Sequence, residues 1–331
     1  MNGAAVPLRS DAERAPERIA RNLTLEVARV TERAAIAAAH WRGKGDEKAA
    51  DVAAVEAMRD ELRKVEIDGR IVIGEGVHGE APILFVGERV GSGHGPEVDI
   101  AVDPLEGNTI CAKNQPDAIC VLAMAERGGL LNAPDVYMTK VAIGPGYPEG
   151  LVDLDQSPMD NVRALAGAKG VPVSEITACV LDRPRHAALI EDLRVGGVSV
   201  KLISDGDIAG IIHTGNTEDT GIDIYLGSGG APEGVLAAAA LRCMGGQMQG
   251  RLILDSPDKR ERALKMGIDD PSRKYSVTDL AFGDVLFAAT GVTDGTLLGG
   301  VKLRPKHVLT STIVMRSWSQ TVRWINARHL R

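Results

Sequence analysis

Val98-Asp99-Ile100-Ala101-Val102-Asp103-Pro104-Leu105-Glu106-Gly107 is the stretch whose reading decides the fold. Its β-branched beginning reads as a strand, and that strand leaves the sheet on an acidic residue. Pro104 fixes its own φ and Gly107 permits a tight turn, so the carboxylates of Asp103 and Glu106 can bend toward one point. That geometry suits a divalent cation. Upstream, Asp68-Gly69 opens a turn before Arg70-Ile-Val-Ile-Gly74, a second short strand that ends in the same way, at Glu75 between two glycines. Taken singly, each of these acids also reads as a solvated turn residue.

Outward from these strands, Leu23, Val27, Val30, Ala34 and Ala38 recur at helical spacing and predict an amphipathic helix over 23–39, ended by Gly43 and Gly45. A second helix, Lys48 to Val65, follows the Asp46 cap with Val52, Val55, Met58 and Leu62 on one face and Asp51 in its first turn. Ala118 to Met124 and Val136 to Ile143 are strand-like and punctuated by glycine and proline, which suits a mixed or antiparallel sheet. The first half therefore reads as layered α+β. After Pro172 the pattern alternates: strand Thr177 to Asp182, helix Arg185 to Arg194, strand Val198 to Ser204, helix Asp207 to Thr214, strand Ile222 to Leu226, helix Pro232 to Met244. Asp279 to Ala289, Lys302 to Arg304 and Ser311 to Arg316 supply later strands or short elements. The expected organisation is a flexible lead-in over 1–20, a metal-binding α+β half over 21–170, and an α/β half over 171–331 that completes the pocket.

Composition narrows the function classes. The 331 residues carry a net charge of 38 − 45 = −7 and only 3% aromatics, which argues against a nucleic-acid surface and against base-stacking platforms. Apolar runs such as Val235 to Leu241 fall far short of the ~20 residues that cross a bilayer, and no membrane partner is expected. The first twenty residues lack the layout of a secretory signal. Cys111, Cys120, Cys179 and Cys243 form no C-x-x-C pair, so neither a disulfide framework nor a zinc knuckle is expected, and a reducing cytoplasm is the simplest compartment. The seven histidines are scattered without H-E-x-x-H. Any metal would be held mainly by carboxylates, and an all-oxygen donor set selects Mg²⁺ or Mn²⁺ over zinc or copper.

Two further constellations carry chemistry. Gly227-Ser-Gly-Gly230-Ala-Pro-Glu233-Gly runs into an alanine-rich helix, where free backbone N–H groups make an anion site and Glu233 can bend back toward a cation. It fails as a dinucleotide fingerprint, since Pro232 stands in the place of the third glycine; a plain strand-to-helix connection is its other reading. Arg183-Pro184-Arg185-His186 and Asp205-Gly206-Asp207 each follow a strand. Two guanidiniums grip a phosphate bidentately and short carboxylates accept from sugar hydroxyls, so together they describe a phosphosugar pocket, although separately each is an ordinary turn. Lys44, Lys48 and Tyr137 are additional candidate donors.

Eight separated motifs in one order resemble the class II fructose-1,6-bisphosphatases, of the lithium-sensitive, metal-dependent sugar phosphatase superfamily. They are Arg29-Val-Thr-Glu32, Gly45-Asp-Glu-Lys-Ala-Ala-Asp51, Ile73-Gly-Glu-Gly76, Asp103-Pro-Leu-Glu-Gly107, Asp135-Val-Tyr-Met138, Arg183-Pro-Arg-His186, Asp205-Gly-Asp207 and Gly229-Gly-Ala-Pro-Glu-Gly234. The resemblance runs from about Leu23 to the C-terminus. It implies an α/β/α/β/α sugar phosphatase fold, a bisphosphorylated sugar as substrate, Mn²⁺ or Mg²⁺ as cofactor, and a homodimer or homotetramer. By position it implies one ion at Asp51 and Glu75 and another at Asp103, Glu106 and Glu233. The catalytic set would be Asp51, Glu75, Glu106 and Asn108. Substrate would be held by Glu106, Gly107, Asn108, Tyr137, Arg183, Pro184, Arg185, Asp205, Gly206, Asp207 and Gly230. One position departs from the family: Asn108 stands where a threonine or serine hydroxyl helps align and deprotonate the attacking water. The implied activity is removal of the 1-phosphate of fructose 1,6-bisphosphate. A sedoheptulose-1,7-bisphosphatase, alone or as a second activity, and a phosphosugar-binding protein impaired at Asn108 are the alternatives; an inositol phosphate substrate and a nicotinamide oxidoreductase are remoter.

Overall fold

In the computed structural model, residues 19–76 and 83–331 are described. The lead-in expected over 1–20 falls almost wholly outside them. The described residues open with α1 (Leu23–Ala39) and α2 (Glu47–Leu62), the latter capped by Asp46, whose carboxylate accepts from the Ala49 N–H at 2.9 Å. Strands β1 (Asp68–Ile73), β2 (Arg89–Val90) and β3 (Glu97–Glu106) follow, then α3 (Asn108–Ala112), β4 (Ile119–Glu126) and β5 (Tyr137–Ile143). Next come α4 (Pro158–Lys169), β6 (Thr177–Leu181), α5 (Ala187–Val195), β7 (Ser199–Ile203), α6 (Asp207–His213), α7 (Thr217–Thr220), β8 (Ile224–Gly230) and α8 (Ala231–Met244). The chain closes with β9 (Gln247–Leu252), α9 (Pro257–Lys265), β10 (Tyr275–Ser276), α10 (Val277–Leu280), β11 (Val285–Gly291), β12 (Lys302–Leu303), β13 (His307–Arg316) and β14 (Thr321–Leu330).

The strands of the described residues form two sheets. The first runs β12-β13-β11-β4-β3-β1-β2, with β14 on the other side of β13; the second runs β10-β9-β5-β8-β6-β7. Residues 21–170 and 171–331 each contribute to both sheets: β5 enters the second, and β11 to β14 enter the first.

Period-2 alternation explains the layers. In β4, Ile119, Val121, Ala123 and Ala125 face a core between the sheets, whereas Cys120, Leu122 and Met124 face a core beneath α1 and α2. In β5, Met138 and Ala142 face inward, while Val141 and Ile143 meet α4 and α5 on the outside. The central layer is α8, buried from Gly234 to Leu241, which touches strands of both sheets. Its small side chains let the two sheets approach it closely. The order is helix, sheet, helix, sheet, helix, as the resemblance implied.

Some boundaries differ from expectation. The run expected from Asp279 as strand or short element is both: it begins as a helical turn, because Ser276 and Asp279 close a reciprocal capping box, and pairing with β4 starts at Val285. The second helix stops at Leu62 and not at Val65. Helices α4 and α9 and strands β9 and β14 were not anticipated. Among the described residues no helix is long and apolar enough to cross a membrane.

Candidate active site

Residues three apart on a regular strand point to opposite faces, yet Asp103 and Glu106 point the same way. A bulge causes this: Asp103 pairs with Val121 and Glu106 with Ile119, so Pro104 and Leu105 stand against the single residue Cys120 and the pleat is reset. Gly107, at φ +90°, then turns the chain into α3, with Asn108 as its first residue.

A third carboxylate arrives from the central helix. Glu233 lies in the first turn of α8, and ligand atoms of Asp103, Glu106 and Glu233 fall within 4.8 Å of one another. Gly230 makes room for it, since a Cβ there would sit 1.7 Å from Glu233 Oε2. That Oε2 is buried with no hydrogen-bond partner among the described residues. Burial, then the charge of Asp207, raises Glu233 to about 7; burial, then Asp103, drives Glu106 well above the usual carboxylate range. Acids crowded this way, one with an orphaned oxygen, fit a hard divalent cation.

Asp51 and Glu75 border the same cluster. Burial raises Glu75 to about 8, with the charges of Asp51 and Asp103 adding to it. Asp51 is also raised by burial, and the Asn108 amide, donating to its carboxylate, opposes the shift. Asn108 thereby keeps its own Oδ1 buried and unpartnered among the described residues. An amide placed here offers one acceptor and no hydroxyl proton relay.

The remaining candidates approach through α6 and β8. Gly206, at φ +78°, starts α6, and the backbone N–H of Ile208 points at Glu106 Oε1, 3.4 Å away. Asp207 is buried, and Lys140 Nζ of β5 meets its Oδ2 at 2.6 Å, with the Tyr225 hydroxyl 3.4 Å from the same oxygen. Arg185 donates to the Ser228 carbonyl at 2.8 Å and stacks its guanidinium 4.7 Å from the Tyr137 ring centroid. Arg183 donates to the Ser204 carbonyl and reaches Asp205 at 3.4 Å, while Pro184 begins the one-turn 3₁₀ segment before α5. The basic turn and the carboxylates thus meet along β8, where Ser228 holds Arg185 and Gly230 abuts Glu233. Lys44 stands over Trp41, 5.0 Å from its ring, and Lys48 is exposed; no contact among the described residues ties either to the cluster.

Sequence reasoning passed over Lys140, Tyr225 and Ser228. A signal existed for Lys140: strand alternation puts it on the inward face with Met138 and Ala142, an expensive place for an unpaired ammonium. A cavity of about 870 Å³ opens at the other end of α8, around Arg242, Gly245 and Trp318, and holds none of these residues. Chemistry, and not volume, puts the candidate site at the N-terminal end of that helix.

Comparison with known proteins agrees with this geometry. The family model described as bacterial fructose-1,6-bisphosphatase, glpX-encoded, matches residues 21–329. A D-fructose 1,6-bisphosphatase class 2/sedoheptulose 1,7-bisphosphatase of Synechococcus sp. (strain JA-3-3Ab) is 46% identical, over 93% of this chain and 96% of its own. A protein of the same name from Prochlorococcus marinus (strain MIT 9303) is 45% identical, over 94% of this chain and 97% of its own.

Proposed function

The chain belongs to the glpX-encoded bacterial fructose-1,6-bisphosphatase family, and from that premise we propose that it hydrolyses the 1-phosphate of fructose 1,6-bisphosphate. The products are fructose 6-phosphate and inorganic phosphate, formed by direct attack of water without a phosphoenzyme. The observation that carries this reading is the convergence of Asp103, Glu106 and Glu233 beside the Asp51–Asn108 pair.

Magnitudes explain why the acids are crowded. Enzymes accelerate phosphate monoester hydrolysis by up to ~10²¹, of which one positioned base supplies about 10²–10⁴. Charge neutralisation must supply much of the rest. Bound Mn²⁺ or Mg²⁺ would neutralise phosphoryl oxygens, stabilise the leaving alkoxide and make water more acidic. Asp51 and Glu75 would hold one ion, and Asp103, Glu106 and Glu233 another. The protein's other groups bind and orient: Asn108 Oδ1 accepts from the attacking water, Arg183 and Arg185 grip the distal phosphate, and Asp205 and Asp207 accept from sugar hydroxyls. Tyr137 backs Arg185, and Gly107, Pro184, Gly206 and Gly230 shape the backbone around the sugar. We take the enzyme to work in the cytoplasm as a homodimer or homotetramer.

The names of its relatives favour sedoheptulose 1,7-bisphosphate as a second substrate, because a distal phosphate there meets the same two arginines. Asn108 motivates the other reading, a sugar-binding protein that does not turn over. Phosphate release with Mn²⁺ is to be measured on both bisphosphates for the wild-type chain, Asn108→Thr and Glu106→Gln. Turnover by the wild type and none by Glu106→Gln is expected. Activity only in Asn108→Thr would make this chain a silenced relative, and full activity in Glu106→Gln would overturn the carboxylate assignment.

A further inference from the structure

Among the described residues, strand β14 is an edge ten residues long that no other strand pairs on its outer side. Its register against β13 runs without interruption from Arg316↔Thr321 to His307↔Leu330. Natural edges are blunted by shortness, bulges, proline or charged side chains, lysine above all; Thr321-Val-Arg-Trp-Ile-Asn-Ala-Arg-His-Leu330 is long, unbulged and free of proline, lysine and acids, and its only fixed charges are Arg323 and Arg328. Trp324 is 54% exposed and Leu330 83%. Arginine and tryptophan without lysine or carboxylates is the composition of an interface centre.

The free hydrogen-bonding groups can be assigned. The Arg331 N–H donates to the Lys306 carbonyl, so odd-numbered residues of this strand direct their main chain at β13; the Ser317 N–H, donating to Val285, shows odd-numbered residues beyond the end of β13 directed the other way. The even-numbered residues Val322, Trp324, Asn326, Arg328 and Leu330 therefore present their N–H and C=O groups outward.

We infer that this edge pairs with the same edge of a second copy of the chain, antiparallel about a two-fold axis at Asn326. The inference rests on the self-association taken above and names its surface. Two identical edges pair only outward residue with outward residue, so the two residue numbers must sum to an even value. The register about Asn326 is the one that engages all five. It places Val322 opposite Leu330, Trp324 opposite Arg328, and Asn326 opposite itself, five pairs that each exchange two hydrogen bonds. The arginines stay apart, since Arg328 meets the Trp324 ring of the other copy and Arg323 meets His329. Leu330 gains Val322. A two-fold contact closes on itself, so one pairing removes both edges and joins the two first sheets into one.

The test is solution mass by light scattering on the full chain, with far-UV circular dichroism to verify folding. Asn326→Pro removes an outward N–H and no bond to β13, a position at which edge strands accept proline. Trp324→Arg sets two arginines opposite each other. Asn326→Cys places two thiols across the axis at the ~5.5 Å Cα separation of a bonded pair, within disulfide range, and the four native cysteines are all buried. Both folded disruptive variants are expected to show half the wild-type mass, and Asn326→Cys to cross-link on mild oxidation. A monomeric wild type would remove the self-association itself. An oligomer whose mass is unchanged in either folded variant, or whose Asn326→Cys form does not cross-link, would leave self-association standing and overturn this edge as its surface.

Discussion

Replacing Lys140 with methionine tests whether the interior of the site is organised by a single buried ion pair. Lys140 is 0% exposed at its side chain and Asp207 4%, with 2.6 Å between Nζ and Oδ2. Methionine keeps the volume and removes the charge. Asp207 is then left with the Tyr225 hydroxyl at 3.4 Å, and Gly229 presses close enough that a Cβ there would lie 2.0 Å from Asp207 Oδ2. Breaking a buried pair from one side costs about 3–5 kcal/mol, against a total stability of about 5–15 kcal/mol. At about 1.4 kcal/mol per tenfold this is a loss of roughly two to three and a half powers of ten in the folding equilibrium. Removing both charges, in Lys140→Met with Asp207→Asn, is expected to restore most of the loss, because an uncharged amide no longer demands a cation. Urea unfolding of the metal-free protein, followed by tryptophan fluorescence, measures the wild type, both single variants and the double. A loss below about 1 kcal/mol in Lys140→Met, or a double variant as unstable as the sum of the singles, would refute the reasoning.

Two more outcomes follow from the geometry. Gly230→Ala displaces the flexible end of Glu233 and not backbone, so melting should change little while Mn²⁺ affinity by titration calorimetry falls about 10–100-fold, the usual effect of disturbing a ligand's support; unchanged affinity would separate Glu233 from the metal. His186 is held neutral: its Nε2 accepts the Ser228 N–H at 2.9 Å, its Nδ1 donates to the Leu181 carbonyl at 2.8 Å, and burial lowers its pKa below the ordinary 6.5. The unfolded chain takes up that proton first, so the contribution is complete above about pH 6.5 and is lost as the pH falls through the lowered folded value. Melting temperature across this range should show a slope that His186→Gln reduces, and an identical slope in both would discard the assignment.

Much of this is legible in the sequence, and the exceptions differ in cause. Helix α1 spans the residues its apolar spacing marked, because one amphipathic stripe covers one sheet. The acids at the ends of β1 and β3 were likewise visible. The bulge that turns Asp103 and Glu106 to one side was not, since a register shift belongs to two strands and is written in neither alone. Lys140 is a lone charge whose partner lies 67 positions away. Helices α4 and α9 did announce themselves, through Ser157-Pro158 and Ser256-Pro257, in which the serine caps and the proline starts the helix. Strand β14 stayed hidden because half-exposed alternation gives little hydrophobic contrast.

The interleaved order of the first sheet also bears on how the chain is made. Strand β4 is complete at residue 126, but its neighbour β11 begins at residue 285, so 285 − 126 = 159 more residues must be added before that partner begins. At ribosomal rates of about 5–20 residues per second, the unpaired edge of β4 waits roughly 8–32 seconds for its partner. Seven of the eight residues of β4 are buried in the finished protein, so the nascent chain carries this apolar edge until the residues from Val285 onward emerge. The second sheet, whose strands fall between 137 and 276, is finished first. The half of the molecule begun earliest is thus the half that closes last.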